Sequence, residues 1–250
     1  MNYRSVSTII LVTFLTSSCD LGISFPNSST PSSHFSSSVE SSQTNYFYPQ
    51  VFPYDGLRID SSYLGTSTFY VNQSGTKWGN GGTFSVQYNP ANGIGSCVDG
   101  DTTVFGFPSE VASLIESSPK RVRYLNMDTP ETSGNPEKWG LLAKQYTCDR
   151  LLRAETILIQ TDPGDKLLDP YGRLLGWIWI QDAGQSDYEL LNYWLVRQGL
   201  AEVKYLFGAG ETSATQYQEK TYTEWMFLAQ DRAMQDEYGM HSSLQDPYTN

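Results

Sequence analysis

Polar and apolar positions alternate with two different periods along this chain. From about residue 94, short alternating runs predict strands at 94 to 106, 120 to 127, 155 to 161 and 173 to 181. Three- and four-residue spacing predicts helices at about 138 to 153, 187 to 199 and 214 to 238. In the first of these Leu142, Tyr146 and Leu152 form an apolar stripe, and Gly199 after LNYWLVRQ is a natural C-terminal stop. Strands first, a helix inserted among them and more helices at the end suggest an α+β domain built around a small barrel. No internal repeat is evident. Upstream, the runs STFYV (67 to 71) and TFSVQY (83 to 88), with a turn at WGNGG, fit short strands and mark residues 47 to 93 as a small β-rich extension.

The first twenty residues follow another pattern. Arg4, an apolar stretch from Val6 to Leu15 and the small residues Thr16, Ser17 and Ser18 lead to Cys19. This is expected to be an export signal over residues 1 to 18, too short to span a bilayer as a mature helix. Small residues before a cysteine suit lipidation of Cys19, with ordinary cleavage and an uncleaved anchor as the other routes; Leu15 stands one position further from Cys19 than the usual lipobox has it. Acyl chains at Cys19 would hold the protein on the extracellular face of the cell membrane, each buried CH₂ adding roughly 0.8 kcal/mol. Without that modification the protein would be secreted. Residues 19 to 46, rich in serine, threonine and proline, have too little apolar content to fold alone and are expected to be a tether.

Composition narrows the chemistry. The chain has 250 residues and 39% hydrophobic content, enough for a packed core. Its formal charge of −11 argues against a broad basic face that coats nucleic acid. Between residues 120 and 173, however, nine Lys and Arg face eight Asp and Glu, so a phosphate-binding cleft is compatible with that region. Only His34 and His241 occur. His34 lies in a serine-rich stretch and His241 near the C-terminus, whereas a paired-histidine ribonuclease, a Ser-His-Asp hydrolase and a histidine-rich zinc site all need imidazoles in the right places, which leaves carboxylates, arginines or a hard metal. Cys97 and Cys148 are either bonded, as export would permit, or two buried thiols.

Three segments carry candidate chemistry: VDGDT (98 to 102), RVRYLNMDTPE (121 to 131) and DPYGR (169 to 173). Each alone is explained by turn chemistry. Together they suggest more. Arg121 and Arg123 alternate along one strand, and Arg123 shares its face with Leu125 and Met127, so an inward guanidinium there needs an anion from the protein or from a ligand. A phosphodiester would serve, because the planar fork matches two phosphate oxygens. Asp101 and Asp128 would meet at one rim if their strands are adjacent, offering oxygen ligands suited to Ca²⁺ or Mg²⁺. Glu131 would then stand where it can take a proton from water, with Arg173 on the opposite side of the phosphorus.

With EKWGLLAKQYT, LVRQGLAEVKY and a closing YGMHSS added, six segments come in the order of one family, and residues 94 to 243 resemble the staphylococcal (micrococcal) nuclease, or thermonuclease, family. The resemblance implies a five-stranded oligonucleotide/oligosaccharide-binding (OB-fold) barrel with three helices. It also implies a monomeric Ca²⁺-dependent endonuclease that hydrolyses DNA and RNA and leaves 3′-phosphate ends. Carried over by motif, Asp101, Asp128 and the carbonyl of Thr129 would hold calcium, with Asp99 behind them. Arg123 and Arg173 would bind the scissile phosphate, Glu131 would activate the attacking water, and Tyr171 and Tyr205 would contact the nucleotide, Tyr205 by stacking. No protein partner is expected, and residues 244 to 250 would be a tail.

The sequence departs from the family at Pro170, where a basic residue is usual, at Phe207, where a tyrosine is usual, and in extra residues around GFPSEVASLIESSPK that bear on access to the cleft. The same barrel could instead carry a non-catalytic nucleic-acid- or protein-binding module, or a surface lipoprotein with a structural role. Retention of Asp101, Arg123, Asp128, Glu131 and Arg173 counts against both.

Overall fold

LLGWIWIQD is apolar at six of its first seven positions, and such a run suits a strand covered on both faces. In the computed structural model these residues, Leu174–Asp182, form the central strand of the protein, and the first seven are buried. Residues 45–60, 70–71, 76–77, 83–85, 97–107, 109–161, 167–206 and 216–248 are described. The export segment with Cys19, the tether up to residue 44, and Phe207 lie outside them.

In chain order the strands are β1 (Arg58–Ile59), β2 (Tyr70–Val71), β3 (Thr76–Lys77), β4 (Thr83–Ser85), β5 (Cys97–Asp99), β6 (Thr102–Val104), β7 (Arg121–Tyr124), β8 (Met127–Asp128), β9 (Ala154–Gln160), β10 (Leu174–Asp182), β11 (Tyr188–Leu190), β12 (Glu202–Val203), β13 (Gln216–Tyr217) and β14 (Lys220–Thr221). Among the described residues three longer helices accompany them: α1 (Gly140–Arg153), α2 (Leu191–Arg197) and α3 (Tyr222–Gln235), besides short helical turns at Ser109–Ala112 and Gly239–His241. The architecture is mixed α+β around one eight-stranded sheet. Its order is β1-β11-β10-β7-β6-β5, with β9 pairing both β10 and β4. Among the described residues no pairing closes the sheet into a barrel.

β10 organises the rest. Its first three residues run parallel to β7, its later residues pair β11, and β9 lies antiparallel along its other edge. Trp177 and Trp179 are fully buried and both meet the Tyr222 ring edge-on, which fastens α3 to the sheet. The Trp179 indole N–H donates to Gln160 Oε1 at 2.7 Å, so this buried polar atom is satisfied. α2 ends as expected at Gly199. The Gly199 and Leu200 N–H groups donate to the Val196 and Leu195 carbonyls, a Schellman arrangement that uses carbonyls the helix leaves free.

Several element boundaries differ from the sequence expectation, each for a physical reason. The strand expected over 94 to 106 is a hairpin, β5 and β6, turning at Gly100 and Asp101. The strand expected over 120 to 127 stops at Tyr124, because Asn126 adopts φ 56° and restarts the chain as β8, which pairs β12. Residues 188 to 190, expected as helix, are drawn into strand by β1 and β10, partners no local pattern can announce. α3 starts at Tyr222 rather than 214, where Thr221 and Glu224 close a capping box after the β13-β14 hairpin. The buried stripe of α1 runs through Leu142, Ala143, Thr147 and Leu151, while Leu152 is exposed.

Residues Gln43–Asn250 form one compact unit. Within it, residues 45 to 59 contribute Phe47, Leu57 and Ile59 to the core and pair β11 through β1. Cys97 and Cys148 are bonded, with Cα atoms 5.8 Å apart, so β5 is fixed to α1. No helix among the described residues is long and apolar enough to cross a membrane.

Candidate active site

The VDGDT, RVRYLNMDTPE and DPYGR segments converge. The pairing of β6 with β7 puts Thr102 opposite Arg123, and the pairing of β7 with β10 puts Leu175 on the other side of the same arginine. Arg123 therefore sits mid-sheet, 6% exposed, at the floor of a cleft of about 590 Å³ that Asp99, Asp101, Asp128, Glu131, Tyr171 and Arg173 help to line.

The anion that a buried guanidinium requires comes from the protein. Arg123 contacts the carboxylate of Asp101 and lies 2.7 Å from Asp128 Oδ1. Asp101, itself 5% exposed, also accepts the Thr129 N–H at 2.9 Å and the Thr102 hydroxyl. Asp128 takes a second cation, Lys204 Nζ at 2.8 Å, delivered by the pairing of β8 with β12. Asp99 is held by Thr132, whose N–H and hydroxyl both point at it.

Glu131 is exposed at the rim, and its backbone is fastened to Glu137 from both sides. Partial desolvation first, then the fields of Asp99, Asp101 and Asp128, raise its carboxyl above the ordinary range, while Arg123 pulls the other way. Four carboxylates thus share one end of the cleft. Such a set of hard oxygen donors, with an excess of negative charge, fits a calcium-class ion better than a softer metal. Among the described residues no three or more acidic, imidazole or thiol groups converge as a ready-made cage, so a hard ion at Asp101 and Asp128 would need carbonyl and water oxygens as well. Thr129 is buried, with its N–H on Asp101 and its hydroxyl unpartnered.

The opposite wall is the DPYGR turn, and Asp169 builds it. Its carboxylate accepts the N–H groups of Tyr171 and Arg173 at 2.9 Å and the Arg173 Nε at 2.5 Å, an Asx turn that aims the guanidinium along the cleft. Arg173 also reaches the Thr102 hydroxyl. Tyr171 is 79% exposed and Tyr205 48%, with Arg173 5.3 Å from the first ring and Arg123 5.7 Å from the second. Among the described residues, none of the extra ones before β7 lines the cleft. Glu116 and Ser117 donate N–H groups to the Gly172 carbonyl and so buttress the DPYGR turn from behind.

Every expected site residue except Cys19, which is outside the described residues, belongs to this one neighbourhood. Three residues to which sequence reasoning gave no role join the site in the structure: Asp169, Lys204 and Arg121. Asp169 was legible, since Asp two positions before a turn residue is an Asx-turn signal. Lys204 was not, because its approach to Asp128 depends on a strand pairing 76 residues apart.

Residues 121–242 match the family model described as staphylococcal nuclease homologue. These residues are a staphylococcal nuclease homologue domain. The match begins at Arg121, so the hairpin with Asp99 and Asp101 lies upstream and joins the domain through the pairing of β6 with β7. Membership points to a nuclease-like function with a nucleic acid as substrate, in a family typically dependent on Ca²⁺.

Proposed function

We propose that this protein is a Ca²⁺-dependent endonuclease that hydrolyses phosphodiesters in DNA and RNA and leaves 3′-phosphate ends. The observation that carries the reading is the meeting of Asp101, Asp128, Glu131, Arg123 and Arg173 around one open cleft, from segments more than 70 residues apart. Asp101, Asp128 and the Thr129 carbonyl would hold the calcium ion, which when bound offsets the carboxylate charge and polarises a phosphate oxygen.

The chain's own groups do the rest. Arg123 and Arg173 approach the scissile phosphate from two sides and stabilise the charge that grows on its oxygens in the transition state. Glu131, a base strengthened by partial desolvation and by its acidic neighbours, accepts a proton from the attacking water at a carboxylate oxygen. Tyr205 and Tyr171 present exposed rings to bases or sugars, and stacking of this kind tolerates any sequence.

The same reading includes export and a lipid anchor at Cys19. It is supported by the SSC pattern and by the Cys97–Cys148 disulfide, a bond that persists in oxidising compartments. Plasmid DNA and RNA should be degraded by the purified unit from Gln43 onward with Ca²⁺ and spared when a chelator is added. Equal degradation in both conditions, or none in either, would overturn it. Mass spectrometry of the mature protein should find acyl mass on Cys19; an unmodified cysteine would remove the anchor.

A further inference from the structure

The cleft holds a third guanidinium, at the start of the RVRYLNMDTPE segment, to which the catalytic roles give no part. Arg121 stands two residues before Arg123 on β7, so both side chains leave the same face of the strand, and both line the cleft. The two other cleft arginines have carboxylate partners: Arg123 has Asp101 and Asp128, and Arg173 has Asp169. Arg121 has none among the described residues. Its Nε is shielded from solvent without a hydrogen-bond partner, in a residue that is half-buried. Desolvating a guanidinium without an anion is unfavourable, and the position is rational if the anion arrives with the ligand. The backbone beneath it is fixed, since the Arg121 N–H donates to Ser117 Oγ at 3.1 Å. Asp169 lines the same cleft, but its carboxylate is taken by Arg173 and by the N–H groups of its own turn.

We propose that Arg121 is a second phosphate subsite, which grips the phosphate next to the scissile one on the side away from Asp128. Two residues along a strand span about 7 Å, a separation comparable to that between successive phosphates of an extended single strand. The planar fork of Arg121 then meets one phosphate while Arg123 and Arg173 hold its neighbour. The substrate class follows. Polynucleotides with at least two consecutive phosphodiesters bind better than a dinucleotide with one. This inference rests on the nuclease reading above.

The test is binding of labelled dithymidylate (one phosphate) and trithymidylate (two phosphates) with Ca²⁺, in a Glu131→Gln protein that suppresses turnover. Adding Arg121→Gln should weaken the trinucleotide by about tenfold or more and leave the dinucleotide within about twofold. The salt slope for the trinucleotide should fall by roughly 0.7, the share of one phosphate contact on a single strand. Arg121→Lys should restore part of the loss, which a purely structural role would not predict. Equal weakening of both ligands, or of neither, overturns the subsite while leaving the nuclease reading intact. If the parent protein binds neither ligand and the wild type cleaves nothing, the nuclease reading falls and this subsite falls with it.

Discussion

Glu131 differs from the other cleft carboxylates in that no side chain or N–H group among the described residues holds its carboxylate. Arg123 and Lys204 neutralise Asp101 and Asp128, and Thr132 holds Asp99, whereas Glu131 faces outward with its carboxyl raised by burial and by all three. A carboxylate in that position is the group with proton affinity to spare. Glu131→Gln keeps the size and removes the base, so turnover on DNA should drop roughly 10²-fold or more with KM little changed. Near wild-type turnover would exclude Glu131 from proton transfer. At this scale the residue types were legible, because an arginine among apolar neighbours and two carboxylates around a proline each demand an explanation. The partners of those residues were not. That Arg123 is paired by Asp101 and Asp128, and that Arg121 has no carboxylate among the described residues, follows from strand register, which period and composition do not contain.

Elements place these residues through close contacts between backbones. The loop that carries Glu131 runs over the start of α1, where a Cβ on Gly140 would stand 2.5 Å from the Glu131 carbonyl oxygen and 2.9 Å from that of Pro130. Both obstacles are backbone and cannot rotate away, so Gly140→Ala must push the loop or the helix. The expected outcome is a cost of about 1–3 kcal/mol, typical of overpacking, together with a larger fall in kcat than in binding, because Glu131 moves while Arg123 and Arg173 stay. Urea denaturation alongside steady-state kinetics checks it, and unchanged kcat would show that the loop tolerates the shift. The strong elements were visible beforehand: β9, β10 and α1 lie close to where the apolar pattern put them. The boundaries that moved are those set by partners distant in sequence, as when β1 turns residues 188 to 190 into strand. The Thr221 capping box is an exception, since its Thr-x-x-Glu spacing stood in the sequence as a local signal for the start of α3.

For the whole molecule, the segment before the nuclease homologue domain is part of what holds that domain together. Phe47 packs edge-on against Trp139 and beside Tyr238, and Leu57 and Ile59 are buried. Asp55 binds Arg197 on α2 and Arg232 on α3, joining the two helices behind the cleft. The sequence suggested a small β-rich extension over residues 47 to 93; along residues 45 to 59 Tyr, Pro and Phe separated by polar residues have no helical or strand period, and their burial comes from the surface they land on. Leu57→Ala should therefore cost about 2–5 kcal/mol, as for any fully buried leucine. Val51→Ala, at a fully exposed side chain in the same segment, should stay within about 0.5 kcal/mol of wild type. Denaturation followed by tryptophan fluorescence distinguishes the possibilities, because Trp139, Trp177 and Trp179 report on the main core. A single transition displaced in Leu57→Ala makes residues 45 to 59 and the nuclease homologue domain one cooperative unit, whereas two transitions, or Leu57→Ala indistinguishable from Val51→Ala, would make this segment an accessory laid on a core that is complete without it.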